Sequence, residues 1–264
     1  MPPQIISIHS YRGGTGKSNT TANLAAQLAM RGRRVAIVDT DIPSPGVHIL
    51  FGLDETTLRH TLNQFLHGEC QIEDVGYAIG AQTGGAPGVS QLRDKNLWLL
   101  PASPNRDEIA RILQHGYDVS LLNKGIQTFR RSLDLDYLFI DTHPGLNDET
   151  LLSIAISDLL IVILRPDNQD FQGTSVTVDV ARKLDVSKME IIVNKALLSR
   201  YDAMQIQSQV ESTYGVPVLT VLPLAEDVVD NASADIFSLA HPDNLWSQRI
   251  KSAAETLDAR FKHE

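Results

Sequence analysis

Short apolar, mostly β-branched runs alternate along the chain with longer segments in which apolar residues recur at helical spacing. The runs predict strands at 5–8, 35–38, 97–100, 137–140, 159–164, 191–193 and 218–222. The helical patterns cover 19–31, 58–67, 105–133, 147–157, 170–185, 203–214 and 244–261. Several strands are apolar on both faces, which is typical of a sheet buried between two helix layers. The alternation predicts an α/β fold, a doubly wound, mostly parallel sheet with helices on both faces.

A segment rich in glycine interrupts this alternation at residues 76–96. It lies between a predicted helix and a predicted strand, and its glycines and proline favour a long flexible loop or an insertion. The remaining elements follow one another through one predicted sheet. A chain of 264 residues with this organisation is expected to form a single domain over residues 1–264.

Cysteine content and charge exclude several classes of protein. The single cysteine, Cys70, excludes an internal disulfide and a Cys-x-x-Cys metal or iron–sulfur site formed by one chain. The first residues lack the layout of a signal peptide, and no apolar run approaches the ~20 residues that span a bilayer, so we expect a cytoplasmic protein. The formal net charge is -9, so DNA binding would require a local basic patch.

Residues 12–18 read Arg-Gly-Gly-Thr-Gly-Lys-Ser and lie between a predicted strand and a predicted helix. This context is that of a phosphate-binding loop, in which glycines let backbone N–H groups approach phosphate oxygens and the helix start adds partial positive charge. Lys17 would bridge the β- and γ-phosphates, and the Ser18 hydroxyl would ligate Mg²⁺. Tyr11 stands where the standard motif has its first glycine. The expected nucleotide-binding residues of the loop are Gly13, Gly14, Thr15, Gly16, Lys17, Ser18 and Asn19.

This loop and four later segments, in the same order, resemble the ParA/MinD family of deviant Walker A P-loop ATPases over nearly the whole chain. The later segments are 20–25, 38–41, 140–145 and 193–195. The resemblance implies ATP and Mg²⁺ as ligands, a homodimer with ATP sandwiched between its subunits, and weak intrinsic hydrolysis stimulated by an adaptor protein. It also implies a switch that positions a cargo such as a plasmid, a chromosome or a protein compartment.

Arg12 occupies the position of the family's signature lysine, which reaches the partner's nucleotide across the dimer. Arginine keeps the charge and can bind phosphate oxygens in a bidentate way, so we expect Arg12 to act catalytically in trans. The alternative is that Arg12 is a solvated loop residue and another basic side chain replaces it.

Aspartates follow two of the predicted strands. The resemblance assigns Asp41 to the first switch, where it holds the attacking water and touches the Mg²⁺ shell, and Asp141 to the Walker B acid. Asp39 is expected to be secondary, bonding to the phosphate-loop backbone. Pro144 and the following glycine form the second switch, and His143 within it is expected to be an ordinary hydrogen-bonded residue.

Asn194 and Lys195 follow another strand and indicate recognition of the nucleotide base. Leu197 stands where a guanine-specific site of the Asn-Lys-x-Asp type needs an acid, so adenine is favoured, with Asn194 reading the base edge. Pro223 begins the segment that lines the adenine pocket in the family. Asn19 stands where family members commonly have threonine, and its amide can still donate a hydrogen bond.

The family binds either membranes or DNA, and the sequence favours the ParA-like, DNA-binding mode. One apolar stripe near the C-terminus has the width needed to pack on the sheet, which leaves no free apolar face for lipid; it comprises Leu245, Trp246, Ile250, Ala253, Ala254, Leu257 and Phe261. Basic residues that could form a DNA surface are Arg182, Lys183, Lys188, Arg249, Lys251, Arg260 and Lys262. Such binding would be non-specific, salt-sensitive and associated with the nucleoid. A MinD-like membrane protein and a nucleotide-gated scaffold with little turnover are the alternatives.

Overall fold

The computed structural model describes residues 4–80 and 85–261. Within them, eight strands form one sheet in the order β3-β4-β2-β5-β1-β6-β7-β8. Neighbouring strands are parallel except for the antiparallel pair of β3 and β4. The strands are β1 (Gln4–His9), β2 (Val35–Asp39), β3 (Tyr77–Ala78), β4 (Leu97–Leu100), β5 (Tyr137–Asp141), β6 (Leu159–Leu164), β7 (Met189–Ala196) and β8 (Val218–Pro223). The predicted fold class is confirmed.

Helices cover both faces of this sheet. The longer helices are α1 (Lys17–Met30), α5 (Arg106–His115), α6 (Val119–Ser132), α7 (Asp148–Ala155), α8 (Asn168–Lys183), α9 (Ala203–Tyr214) and α12 (Leu245–Phe261). The shorter ones are α2 (Val47–Leu50), α3 (Leu62–Leu66), α4 (Pro87–Ser90), α10 (Glu226–Asp230) and α11 (Phe237–Ala240), and a 3₁₀ turn spans Ile72–Val75.

Alternate residues of the central strands point to opposite faces and bury two apolar layers. Ile6 and Ile8 of β1 pack with α1, α2, α4, α11 and α12 on one face. On the other face, Ile5 packs with α3, α5 and α6, and β6 and β7 pack with α7, α8 and α9. This two-sided burial is the reason that most residues of the central strands are apolar on both faces.

The segment 76–96, expected as a flexible loop or an insertion, is packed over much of its length. It contains β3 and α4, and Val89 and Leu92 are fully buried. Asp235 accepts hydrogen bonds from the backbone N–H groups of Gly88 and Val89, at 2.7 and 2.9 Å. A Cβ at Gly88 would lie 2.5 Å from the Ile236 carbonyl oxygen, so glycine permits this close approach. Residues 81–84 of the segment lie outside the described residues, and the single-domain assignment stays a prediction.

The carboxyl ends of the parallel strands meet at one edge of the sheet. Asp39 at the end of β2 is in register with Asp141 at the end of β5, and β1 pairs with the opposite side of β5. The loops that follow these three strands therefore converge, as ligand-binding loops do in open α/β sheets.

Candidate functional site

The loop between β1 and α1 has the backbone shape of an anion cradle. Gly14 and Gly16 have φ values of +75° and +90°, a left-handed conformation that glycine adopts without strain. Gly16 is also the N-cap of α1, and the described residues supply neither a side-chain cap nor an acidic side chain in its first turn. The N–H groups at this helix start and the helix dipole thus favour an anion.

Asp141 is fully buried and holds the start of α1 through both carboxylate oxygens. Oδ1 lies 3.0 Å from Lys17 Nζ and accepts a hydrogen bond from Thr21 Oγ1 at 3.0 Å. Oδ2 accepts a hydrogen bond from Ser18 Oγ at 2.6 Å. The lysine, hydroxyl and carboxylate expected to act on phosphate and metal are therefore brought together.

Asp41 lies on the other side of Lys17 and is 8% exposed. Its Oδ2 is 3.9 Å from Lys17 Nζ, and its Oδ1 is 2.7 Å from His143 Nδ1. The sequence did not connect His143 with Asp41. The indication available in the sequence was the position of His143, two residues after Asp141 as Asp41 is two residues after Asp39. Because β5 and β2 are neighbours in the sheet, residues at these equivalent positions lie close together.

Asp39 differs from its expected contact with the phosphate loop. Oδ1 accepts from the Asp41 N–H at 3.1 Å, and Oδ2 accepts from the N–H groups of Gly46 and Val47 at 3.2 and 3.3 Å. Asp39 thus shapes the segment that carries Asp41. Burial, and after it the charge of Asp141, raises the pKa of Asp39 to about 7.

His9 lies beneath the site, at the end of β1. It is fully buried and its Nδ1 donates to Thr142 Oγ1 at 2.8 Å, because that hydroxyl in turn donates to the Ile8 carbonyl oxygen. Burial and the nearby Lys17 ammonium lower the pKa of His9 to about 3. The imidazole is therefore neutral at physiological pH.

The two residues before the glycines rest on α8. The Arg12 guanidinium donates to the side-chain oxygen of Gln169 in the first turn of that helix. The Tyr11 ring covers Gly173, where an added Cβ would lie 2.2 Å from the ring. Arg12 therefore has a hydrogen-bond partner within its own chain, and its expected role in trans stays a prediction.

Asn194 and Lys195 contact the phosphate loop rather than standing free to read a base. Asn194 Nδ2 donates to the Thr15 carbonyl oxygen at 2.8 Å, and its Oδ1 accepts from the Lys195 N–H at 2.9 Å. Lys195 has a φ of +59° and donates from Nζ to the Gly14 carbonyl oxygen at 2.8 Å. In this structure the Asn194 amide is thus engaged by backbone groups, and its expected base contact would need a rearrangement.

A cavity of about 220 Å³ adjoins the loop. Asn194 and Pro223, the two residues expected around the adenine, line this cavity together with Gly16 and Asn19 of the phosphate loop. Asn19 Nδ2 donates to Ser233 Oγ at 3.2 Å. A larger groove of about 720 Å³ lies between α1, α11 and α12, away from the phosphate loop, and contains none of the expected site residues.

These residues fit a magnesium nucleotide. Thr15 Oγ1 and Asn19 Oδ1 are buried without a hydrogen-bond partner among the described residues, and polar groups of this kind are ones that a bound nucleotide would satisfy. No group of three or more His, Cys, Asp or Glu in the described part of the chain could hold a metal alone. Mg²⁺ at a phosphate takes one or two carboxylates and further oxygens from water and phosphate, which matches Ser18, Asp141 and Asp41.

The apolar stripe expected near the C-terminus lies on α12. The apolar stripe of α12 packs into the core, except for Leu245, which is 49% exposed. No helix within residues 4–80 and 85–261 combines the length and apolar character needed to span a bilayer.

Some of the basic residues expected to face DNA are paired with acids. Arg182 Nη1 lies 3.7 Å from Asp179 Oδ1, and Arg260 forms an ion pair with the buried Glu190. Lys262 lies outside the described residues. DNA binding stays a prediction.

Comparison with known proteins gives a consistent result. Residues 3–199 match the AAA_31 family, described as an AAA domain. An uncharacterised ATP-binding protein of Methanocaldococcus jannaschii is 28% identical over 97% of this chain and 89% of its own length. The septum site-determining protein MinD of Pyrococcus horikoshii, solved with Mg-ADP, superposes with a TM-score of 0.79 at 23% identity, covering 97% of this chain and 96% of that one. A plasmid partition protein of Borrelia burgdorferi superposes with a TM-score of 0.70 at 17% identity, covering 98% and 100%.

Proposed function

The chain belongs to the AAA_31 family of AAA domains and has the MinD/ParA P-loop fold. From this family and this fold, we propose that the protein is an ATP-hydrolysing positioning switch that dimerises on ATP. One observation carries the proposal. Lys17 lies between Asp141 and Asp41 at the base of a glycine loop that leads into a helix without a side-chain cap among the described residues.

Each side chain of this cluster has a distinct role in phosphoryl transfer to water. The loop N–H groups and the Lys17 ammonium hold and neutralise phosphate oxygens. Ser18 and Asp141 would hold Mg²⁺, and Asp41 would contact the ligand shell of the ion. The bound ion would neutralise charge that develops on the phosphates. Asp41 orients the attacking water, because catalysis of this reaction depends on positioning and electrostatic stabilisation.

Arg12 supplies the contact between subunits in this proposal. Its guanidinium is partly exposed at the rim of the loop, beside the exposed Gly13 and Gly14. A second copy facing this edge would meet the guanidinium, which can bind phosphate oxygens in a bidentate way. The bond to Gln169 is then exchanged for one to the partner's nucleotide.

The cargo and the track are the least specified parts of the proposal. A stimulating adaptor protein and non-specific DNA are the expected partners, with a membrane as the alternative track. Lys183 and Lys251 are exposed and form no ion pair with an acid in the described part of the chain, so they remain available for DNA. An ATP-dependent gel shift that weakens steeply between low and high salt supports DNA as the track. A shift that is independent of salt, or liposome binding in its place, contradicts it.

ATP turnover of matched variants tests the proposed function. Lys17→Ala and Asp41→Asn should each lower kcat by about 100-fold or more, because each removes a group that stabilises or positions the reacting atoms. His115→Ala, on the exposed end of α5, is the control and should leave kcat unchanged. Full turnover by Asp41→Asn would show that hydrolysis does not occur at this site.

Dimer formation tests the role of Arg12. Light scattering with a non-hydrolysable ATP analogue should show a dimer for the native chain and a monomer for Arg12→Ala. If Arg12→Ala dimerises and hydrolyses ATP like the native chain, Arg12 does not act in trans.

A further inference from the structure

His143 and Asp41 form a short contact between the two loops that flank the phosphate site. His143 Nδ1 lies 2.7 Å from Asp41 Oδ1. Asp41 is 8% exposed and lies beside the Lys17 ammonium, and a carboxylate accepts hydrogen bonds only. Nδ1 therefore carries the hydrogen and donates it. This is a charge-assisted bond, the stronger class of hydrogen bond.

The backbone on the His143 side of this contact is held in place. The Thr142 N–H donates to the Ile8 carbonyl oxygen at 3.2 Å, and the Gly145 N–H donates to the Ser10 carbonyl oxygen at 3.2 Å. Between them, the His143 carbonyl oxygen accepts from the buried Thr150 Oγ1 of α7 at 3.2 Å. The imidazole thus extends from a segment whose backbone is hydrogen-bonded at three of its four residues from Thr142 to Gly145.

The Asp41 side of the contact is held less completely. Its backbone N–H is fixed by Asp39 Oδ1 at 3.1 Å, which leaves the side-chain torsions free. Oδ2 is 3.9 Å from Lys17 Nζ, too long for a hydrogen bond. Among the described residues, His143 is therefore the hydrogen-bond donor to the Asp41 carboxylate. This hydrogen bond sets the orientation of the carboxylate.

We propose that His143 is a positioning residue that fixes the Asp41 carboxylate for its work on the attacking water, and so joins the second switch to the first. The inference rests on the proposed ATP hydrolysis at this site. Without the imidazole, Oδ1 loses its partner and the carboxylate can turn toward Lys17. Misplacement of a catalytic group by about 1 Å can cost about 100-fold in rate.

The side-chain geometry supplies a matched pair of variants. In His143→Asn, the amide nitrogen is separated from Cα by the same number of bonds as Nδ1, so it can donate to Asp41. In His143→Gln, the amide nitrogen is one bond farther and corresponds to Nε2 instead. Both variants are polar and uncharged, and His143→Ala removes the donor altogether.

Steady-state ATP hydrolysis with saturating Mg²⁺ tests the proposal. His143→Ala should lower kcat by about 10–100-fold with a KM for ATP within about twofold of native, because binding uses the loop and Lys17. His143→Asn should recover most of the rate, and His143→Gln should not. In a cycle with Asp41→Asn, removing His143 should have no further effect, since the two residues act as a unit. His115→Ala is the control.

Each alternative result has a defined meaning. Native kcat in His143→Ala, equal rescue by Asn and Gln, or a further loss in the double variant would each overturn the positioning role. If Asp41→Asn itself keeps full turnover, Asp41 does not position the water and this inference fails with that role. If Lys17→Ala also keeps full turnover, the proposed function fails as well. If His143→Ala does not fold, as judged by thermal unfolding, the comparison of Asn with Gln decides alone.

Discussion

Alanine substitution at two glycines of the phosphate loop separates backbone strain from a side-chain clash. Gly14 and Gly16 have similar left-handed backbones, with φ of +75° and +90°. A Cβ at Gly14 would have no described atom beyond its two chain neighbours within 4 Å, whereas a Cβ at Gly16 would lie 2.4 Å from Asn194 Nδ2. Both alanines pay for the left-handed backbone, and Gly16→Ala alone must also displace the amide of Asn194.

The size of each effect follows from this geometry. A left-handed backbone costs an L-residue about 1–2 kcal/mol, which is the whole effect expected on the free energy of unfolding for Gly14→Ala. Displacement of Asn194 removes the hydrogen bond to the Thr15 carbonyl oxygen, and an unpaired buried acceptor costs about 1–3 kcal/mol more. Gly16→Ala should therefore lose about 2–5 kcal/mol.

Urea denaturation of a double-mutant cycle measures this difference. Asn194→Ala breaks the same hydrogen bond, so in the Gly16→Ala background that loss is not repeated and the two effects should fall short of additivity by about 1–3 kcal/mol. With Gly14→Ala as the first substitution, the effects should add within about 0.5 kcal/mol. Equal losses for the two glycines, or additivity in both cycles, would refute the reasoning.

Three further predictions concern acid, a buried carboxylate and the metal. The pKa of His9 is lowered to about 3 in the folded chain. Below pH 6.5 the unfolded chain therefore binds one more proton, and the free energy of unfolding falls by up to about 1.4 kcal/mol per pH unit. Urea denaturation between pH 7 and pH 4 should show a smaller fall for His9→Asn, and an equal fall for the variant and the native chain contradicts the prediction. Asp258 is 1% exposed and pairs with Arg31 and Arg33; Asp258→Asn should cost about 2 kcal/mol in the same assay, less than a fully buried pair because both arginines are partly exposed. Ser18→Ala should raise the Mg²⁺ concentration for half-maximal ATP turnover by about tenfold, while an unchanged Mg²⁺ titration would place the metal elsewhere.

The sequence was sufficient for the strands and the phosphate loop because both depend on local pattern. A strand buried between two helix layers is apolar on both faces, whichever strands lie beside it in the sheet. Gly14 and Gly16 likewise indicate a local backbone conformation that only glycine adopts without strain. The two-residue strand β3 and the short α4 carry too few residues for a period to be visible. They were therefore included in a segment expected to be a loop or an insertion.

The contacts inside the site depend on strand order, which the local pattern does not contain. The bonds of Asp39 to the N–H groups of Gly46 and Val47 require the backbone path after β2. The engagement of Asn194 with the Thr15 carbonyl oxygen joins residues 179 positions apart. The contact of His143 with Asp41 likewise depends on β5 lying beside β2.

The sequence distance between Lys17 and its carboxylate has a consequence for synthesis of the chain. The neighbouring Ser18 and Asp141 are separated by 123 positions, and β1 pairs with β5 and β6, not with β2. A nascent chain that has emerged only as far as β4 has β1 and the glycine loop, but it lacks the two strands that pair with β1 and also lacks Asp141, whose carboxylate lies 3.0 Å from Lys17 Nζ. Long-range parallel pairing forms late in folding. Capture of nucleotide by a growing polypeptide on the ribosome should therefore begin only after β5 and β6 have left the exit tunnel, so that ligand binding reports completed assembly of the central sheet.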